Sequence, residues 1–318
     1  MNNKIKGLHH VTAIALDAQK NYDFYAGILG MRMVKKTVNF DDPGVYHLYY
    51  GNKEGSPGTI MTFFIYPGIA RGREGNGQAT TISFSISANS LDYWIKRLDK
   101  FNISHTKQKQ RFVGESFICF EDYDGLAIEL TANEADMREG YGEGPVPLAH
   151  SIKGFHGITL REENPEITAR LLTGLMDYKL VAEEGNRLRF SPEGRPDGIV
   201  DMISHSDGQL GLGGNGMVHH VAFATPSDGS QMEVRNRLVG SGLNVTPVID
   251  RKYFHSIYFR EPGGVLFEVA TIPPGMAVDE DSRHLGETLQ LPPWEEHNRK
   301  DLEKGLARIL INENIYNN

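Results

Sequence analysis

The segment Leu8-His9-His10-Val11-Thr12-Ala13-Ile14 alternates its side chains with the two-residue period of a strand. Comparable openings recur, so strands of this kind start near residues 8, 81, 155 and 218. Each is followed by a helical segment, at 18–27, 90–101, 165–175 and 231–240. Gly30 stands where a helix-ending turn is expected, Ser90 where an N-cap is, and Pro165 in a first turn. Three more strands follow each helix. The spacing predicts them at 32–38, 46–50 and 59–66; at 103–108, 115–121 and 127–131; at 178–183, 187–190 and 199–203; and at 245–250, 256–260 and 266–271.

One element order repeated at a near-constant period is an internal fourfold repeat. A single strand–helix–three-strand module makes a curved half-sheet that cannot close by itself, whereas two can enclose a cavity. The expected fold class is therefore α+β: four βαβββ modules forming two open barrel-like halves. The chain divides into residues 1–133 (modules one and two), a linker at 134–153 rich in glycine, proline and acidic residues, 154–275 (modules three and four), and a tail at 276–318. An amphipathic helix is expected in the tail around 301–311.

Composition narrows the field. A chain of 318 residues with 39% hydrophobic content can bury a sizeable core. Its formal net charge of −8 and lack of a Lys/Arg block argue against nucleic acid. No apolar run approaches the ~18 residues of a membrane helix, and the first residues lack an apolar signal segment, so a cytoplasmic protein with no membrane partner is expected. The single cysteine, Cys119, excludes a disulfide within the chain and is expected to be a buried strand residue. Homo-oligomerisation is left open.

The chemistry centres on two His-His doublets. His9-His10 and His219-His220 occupy matching places in the first strands of modules one and four. Glu268 lies in the apolar strand Val265-Leu266-Phe267-Glu268-Val269-Ala270, where a carboxylate is costly to bury unless paired or metal-bound. Two imidazoles and one carboxylate make the facial triad of non-haem Fe(II) sites. Alternation puts Leu8, His10, Thr12 and Ile14 on one face and His9 and Val11 on the other, without saying which face lines the cavity.

Further texts carry a family likeness: Leu8-His9-His10-Val11-Thr12, Tyr46-His47-Leu48-Tyr49-Tyr50, Gly154-Phe155-His156, Glu184-Gly185-Asn186-Arg187, Pro262-Gly263-Gly264-Val265-Leu266-Phe267-Glu268 and Asp279-Glu280-Asp281. Over nearly its whole length the chain resembles the vicinal oxygen chelate superfamily of glyoxalases, extradiol dioxygenases and fosfomycin and bleomycin resistance proteins. Within it, the chain is similar to the hydroquinone-type, MhqO-like ring-cleaving dioxygenases.

The resemblance implies Fe(II), with Mn(II) accepted by the same triad, bound by His10, His220 and Glu268. It implies roles beside the metal or on the substrate for His9, Thr12, His219, Arg251 and Tyr258. The partners implied are a small aromatic substrate and O₂. His9 or His219 would accept the phenol proton, Tyr258 would donate to developing charge, and Arg251 would orient an oxygen or carboxylate of the substrate.

A competing assignment pairs modules three and four and builds the triad from His156, His220 and Glu268. Against it, His156 falls in register with His9 rather than His10, so modules one and four are expected to share the metal. Glu129, at the position matching Glu268 in module two, is then a relic. Two other functions remain in view: a glyoxalase-like isomerase or thiol transferase, which typically adds a second carboxylate, and a metal-free quinone- or drug-binding protein.

Overall fold

The computed structural model describes residues 4–192, 195–206, 208–311 and 316. Module one comprises β1 (Leu8–Ala15), α1 (Ala18–Tyr22) continued by a π-helical turn over Asp23–Ile28, β2 (Arg32–Asn39), β3 (Asp42–Gly51) and β4 (Ile60–Ile65). Module two has β5 (Gln78–Ile86), α2 (Leu91–Lys100), β6 (Lys109–Arg111), β7 (Glu115–Glu121) and β8 (Ala127–Ala132). Module three has β9 (Gly154–Glu162), α3 (Pro165–Leu175), β10 (Tyr178–Glu184), β11 (Arg187–Pro192) and β12 (Ile199–Ser204). Module four has β13 (Val218–Thr225), α4 (Asp228–Gly240), β14 (Ile249–Asp250), β15 (Phe254–Arg260) and β16 (Leu266–Pro274).

Local chemistry sets these boundaries. The Asp17 carboxylate accepts from the Lys20 amide at 2.8 Å and starts α1. Gly30 follows the π-helical turn at φ +68°, a conformation that needs no Cβ, with Val146 filling the space a side chain would take. Ser227 caps α4 in the same way as Asp17.

Each module leaves the edge of its first strand open, and the chain closes these edges in pairs. β1 runs antiparallel to β13, which gives one eight-stranded sheet in the order β14-β15-β16-β13-β1-β4-β3-β2. β5 runs antiparallel to β9, which gives a second in the order β10-β11-β12-β9-β5-β8-β7-β6. Modules one and four therefore share one curled sheet, and modules two and three the other. The eight residues of β1 are all buried. One side of it packs into the apolar core with Leu8, Val11 and Ala13, and the other faces the cavity.

Several local expectations change. Ser90 does not cap α2; its hydroxyl donates to Ala149 O instead, and a 3₁₀ turn precedes the helix. Residues 103–108 form no strand beyond an isolated bridge of His105 to Phe120, and between α2 and β7 the strand is the three-residue β6. In module four only Ile249–Asp250 of the segment 245–250 is strand. The tail helix is α5 (Arg299–Gly305), which ends at its glycine, and the chain extends from Leu306. The rest of the tail is held by buried Met276, Leu285 and Leu291, by a backbone bridge of Leu289 to Lys36, and by charge. The wholly buried Lys35 ammonium lies 2.7 Å from Asp279 and 2.5 Å from Glu280.

Candidate metal centre

Register brings the chemistry together. Thr12 faces His220 across the β1–β13 seam, and His10 faces Ala222. On the next strand Ala222 pairs with Glu268, which pairs in turn with Tyr258. On the other side Thr12 pairs with Thr62, and Thr62 with Tyr49. Directly opposed residues share a face. His10, Thr12, His220, Glu268, Tyr258, Tyr49 and Thr62 thus converge on one concave surface.

Both doublets sit at β-bulges. Leu8 pairs with Phe223 and His10 with Ala222, so His9 is an extra residue with no partner on β13. Thr12 pairs with His220 and Ala13 with Val218, so His219 is the extra residue on the opposite strand. Bulges re-aim side chains next to functional sites. Here each lets neighbouring rings meet: Nδ1 of His9 lies 2.9 Å from Nδ1 of His10, and Nδ1 of His219 lies 2.8 Å from Nδ1 of His220. The His9 bulge also separates Leu8 from His10, which simple alternation placed on one face.

With both Nδ1 atoms engaged, the Nε2 atoms are free to point inward. His10 Nε2 and His220 Nε2 are 3.3 Å apart, and Glu268 Oε2 lies 3.3 Å from the first and 3.0 Å from the second. Ligands at right angles around one ion, each about 2.1 Å from it, are separated by about 3 Å. Glu268 is wholly buried, and its Oε2 makes no hydrogen bond, while Ser256 donates to its Oε1. The donor set and the orphaned oxygen fit a divalent cation at the centre. Among the described residues, His10, His220 and Glu268 are the only such group of three.

Burial would raise the Glu268 pKa, but His10 and His220 beside it hold the carboxyl well below its usual range. Burial holds the His220 imidazole below its usual value. Burial, then the neighbouring His10, pushes His9 down to about 3. His9 is sealed behind His10, with its ring 5.0 Å from that of Phe254, and does not line the cavity. His219 does line it and reaches solvent.

The cavity has a volume of about 420 Å³, within the range of small-ligand sites. Phe40, Phe64, Phe254, Ile249 and Leu266 supply its apolar wall. Tyr258 accepts a 3.2 Å hydrogen bond from Arg251 Nε, and burial, then Glu268, keeps its phenol protonated. Arg251 holds Asp41 through both Nη atoms, at 3.1 and 2.9 Å.

Sequence reasoning assigned no role to Thr62, His47 or Tyr49, which extend a chain of polar groups from Thr12 beside the metal position. His220 Nε2 lies 2.9 Å from the Thr12 hydroxyl, which lies 2.7 Å from that of Thr62. Thr62 is 2.9 Å from His47 Nε2, and the Tyr49 hydroxyl is 2.9 Å from His47 Nδ1. The period-2 text Tyr46-His47-Leu48-Tyr49-Tyr50 was the available signal, since it sets His47 and Tyr49 on one face.

His156 belongs to the other sheet. It is the extra residue of a bulge in β9, where Ser83 pairs with Gly157 and Phe84 with Phe155. Its Nε2 contacts Glu115 at 2.9 Å, far in topology from His220 and Glu268. Glu129 is no idle remnant. Arg111 binds it at 2.7 Å, and Arg111 also binds Glu115, which Arg189 joins to Asp201. Ion pairs occupy in the second sheet the region that a metal position takes in the first. Cys119 is half-buried, with Sγ 3.8 Å from Glu129.

Comparison with known proteins agrees with this architecture. The sequence model of the Glyoxalase/Bleomycin resistance protein/Dioxygenase superfamily matches residues 7–130. The chain is 44% identical to the protein named "Putative ring-cleaving dioxygenase MhqO" of Bacillus subtilis (strain 168), covering 98% of this chain and 99% of that one. It is 32% identical to the chlorohydroquinone/hydroquinone 1,2-dioxygenase of Sphingobium indicum, covering 91% and 92% of the two chains. The crystal structure of a dioxygenase-named protein from Bacillus subtilis subsp. subtilis str. 168 superposes with a TM-score of 0.93 at 43% identity, over 98% of this chain and 99% of that one.

Proposed function

The chain belongs to the glyoxalase/bleomycin resistance protein/dioxygenase superfamily, and on that footing we propose that it is a ring-cleaving dioxygenase that opens hydroquinones, or catechols, with O₂. The observation that carries this reading is the meeting of His10 Nε2, His220 Nε2 and Glu268 Oε2 at one end of an aromatic-walled cavity. Relatives named as ring-cleaving and hydroquinone dioxygenases support it.

His10, His220 and Glu268 would hold the ion, and two imidazoles with one carboxylate favour Fe(II), with Mn(II) the alternative. Fe(II) bound there would supply a Lewis acid for the substrate oxygen and a place for O₂ beside it. The remaining work falls to the protein. His9 and His219 accept from His10 Nδ1 and His220 Nδ1 and hold both rings in the tautomer that frees Nε2. His219, open to the cavity and with Nδ1 committed to His220, is positioned to donate a hydrogen bond from Nε2–H to a substrate hydroxyl oxygen. Tyr258 keeps its proton and offers it as a hydrogen bond to charge developing on the ring. The Thr12 hydroxyl, held by Thr62, lies 2.9 Å from His220 Nε2 and borders the metal position.

A glyoxalase-like isomerase or thiol transferase is disfavoured, because no second carboxylate joins the triad among the described residues. The deciding experiment reconstitutes the protein with Fe(II) without oxygen, adds 2-methylhydroquinone, then admits oxygen. Oxygen uptake with a ring-opened product is expected. No uptake across hydroquinones and catechols would remove the reading. A role in quinone detoxification goes with it, and would fail if deleting the gene left quinone tolerance unchanged.

A further inference from the structure

Arg251 is the one Lys or Arg side chain among the described cavity-lining residues. A free guanidinium at that place would bind a carboxylate through its fork of N–H groups. The fork is already filled. Nη1 and Nη2 hold Asp41 at 3.1 and 2.9 Å, and Nε donates to the Tyr258 hydroxyl at 3.2 Å.

Asp41 reaches Arg251 from another module. β2 and β3 pair as far as Asn39 and Asp42, leaving Phe40-Asp41 as a two-residue tip. The Asp41 amide donates to the Asn39 side chain at 3.0 Å, which fixes the tip. Phe40 enters the cavity wall beside it and is braced from behind by Trp294 of the tail, ring centroids 5.7 Å apart. The tip of module one therefore lays a carboxylate on the cation of module four at the mouth of the site.

We propose that the Asp41–Arg251 pair makes the cavity select aromatic diols that carry no negative substituent. This rests on the hydroquinone reading above and specifies its substrate class. A ring carboxylate directed at Arg251 has to displace Asp41 or lie beside it, like charge against like. A methyl group instead meets Phe40, Phe64, Phe254 and Leu266. Specificity of this kind works by repelling the wrong ligand as much as by attracting the right one. Asp41 is largely exposed, with a side-chain relative accessibility of 71%, so the pair adds little to folding stability and its effect falls on selection.

The test compares 2-methylhydroquinone with 2,5-dihydroxybenzoate, the same para-diol with a carboxylate in place of the methyl. Binding of each to the Fe(II)-loaded protein is measured by anaerobic calorimetry, and turnover separately. The wild type is expected to prefer the methyl compound by about tenfold or more. Asp41→Asn and Asp41→Ser should each narrow that preference by about fivefold or more, chiefly through tighter binding of the carboxylate. A wild type without the preference, or a smaller narrowing in both variants, overturns the proposal. A wild type that binds neither ring removes the hydroquinone reading, and the selectivity proposal with it.

Discussion

Replacing His9 with leucine separates the two roles open to the first histidine of a doublet. Leucine fills a similar volume against Phe254 but cannot accept from His10. The His10 Nδ1–H, now 2.9 Å from its partner, would be buried without one. An orphaned buried donor costs about 1–3 kcal/mol. Loss of an outer partner of a metal-binding imidazole costs about 10–100-fold in metal affinity, or about 1.4–2.7 kcal/mol, a matching range. Because His9 does not line the cavity, substrate contacts should survive. Anaerobic titration of the metal-free variant with Fe(II) should show that loss, while KM for 2-methylhydroquinone at saturating metal stays within about twofold. The reasoning is refuted if Fe(II) affinity is unchanged and kcat falls. That result would mean His9 acts on substrate rather than on His10. His219→Leu provides the contrast, since His219 lines the cavity and should lose kcat as well as metal affinity.

Three other outcomes follow from the same geometry. Arg189→Met leaves Glu115 to Arg111 and His156 and buried Asp201 to Arg187, and should cost about 1–3 kcal/mol, or about 2–5 °C in melting temperature, with iron content unchanged; a melting temperature within about 1 °C of wild type would contradict it. Glu162 is wholly buried, and burial, then Glu261, pushes its carboxyl up to about 8. A raised carboxyl holds its proton more tightly in the folded chain, so the stability it contributes is complete below the ordinary value of 4.5 and is lost as pH rises towards 8. Glu162→Gln should flatten that fall and melt higher than wild type at pH 8, and parallel pH profiles in melting experiments would sink the idea. Lys35→Met leaves Glu280 without its cation and Asp279 with Lys252 alone, and should expose the tail to limited proteolysis; an unchanged digestion pattern would show that the tail is held by other contacts.

The modules were legible because strand and helix periods differ and because glycines and prolines punctuate them. The triad was legible because an embedded carboxylate and two doublets in matching strands are hard to explain otherwise. Other features depend on relations that a linear reading does not contain. Alternation cannot reveal a bulge, so Leu8 was set on the face of His10, and the ring-to-ring contacts within each doublet were out of reach. Glu129 looked idle because its partner Arg111 comes from β6, a strand the apolar pattern did not mark. Residues 103–108 include the β-branched Ile103 and Thr106, but the chain pairs there only through an isolated bridge of His105 to Phe120. Asp41 carried no signal, since an exposed acid at a turn is ordinary until a cation from another module is found against it.

The central claim is that the ends of the chain, modules one and four, hold one metal ion for ring opening. A single-turnover reaction of the Fe(II)-loaded protein with 2-methylhydroquinone and ¹⁸O₂, run beside His10→Ala and His156→Ala and read by mass spectrometry, tests it most directly. The account predicts a ring-opened product carrying the label from wild type and His156→Ala, and none from His10→Ala. Unlabelled methylbenzoquinone as the sole wild-type product would contradict the chemistry. Label retained in His10→Ala and lost in His156→Ala would contradict the site.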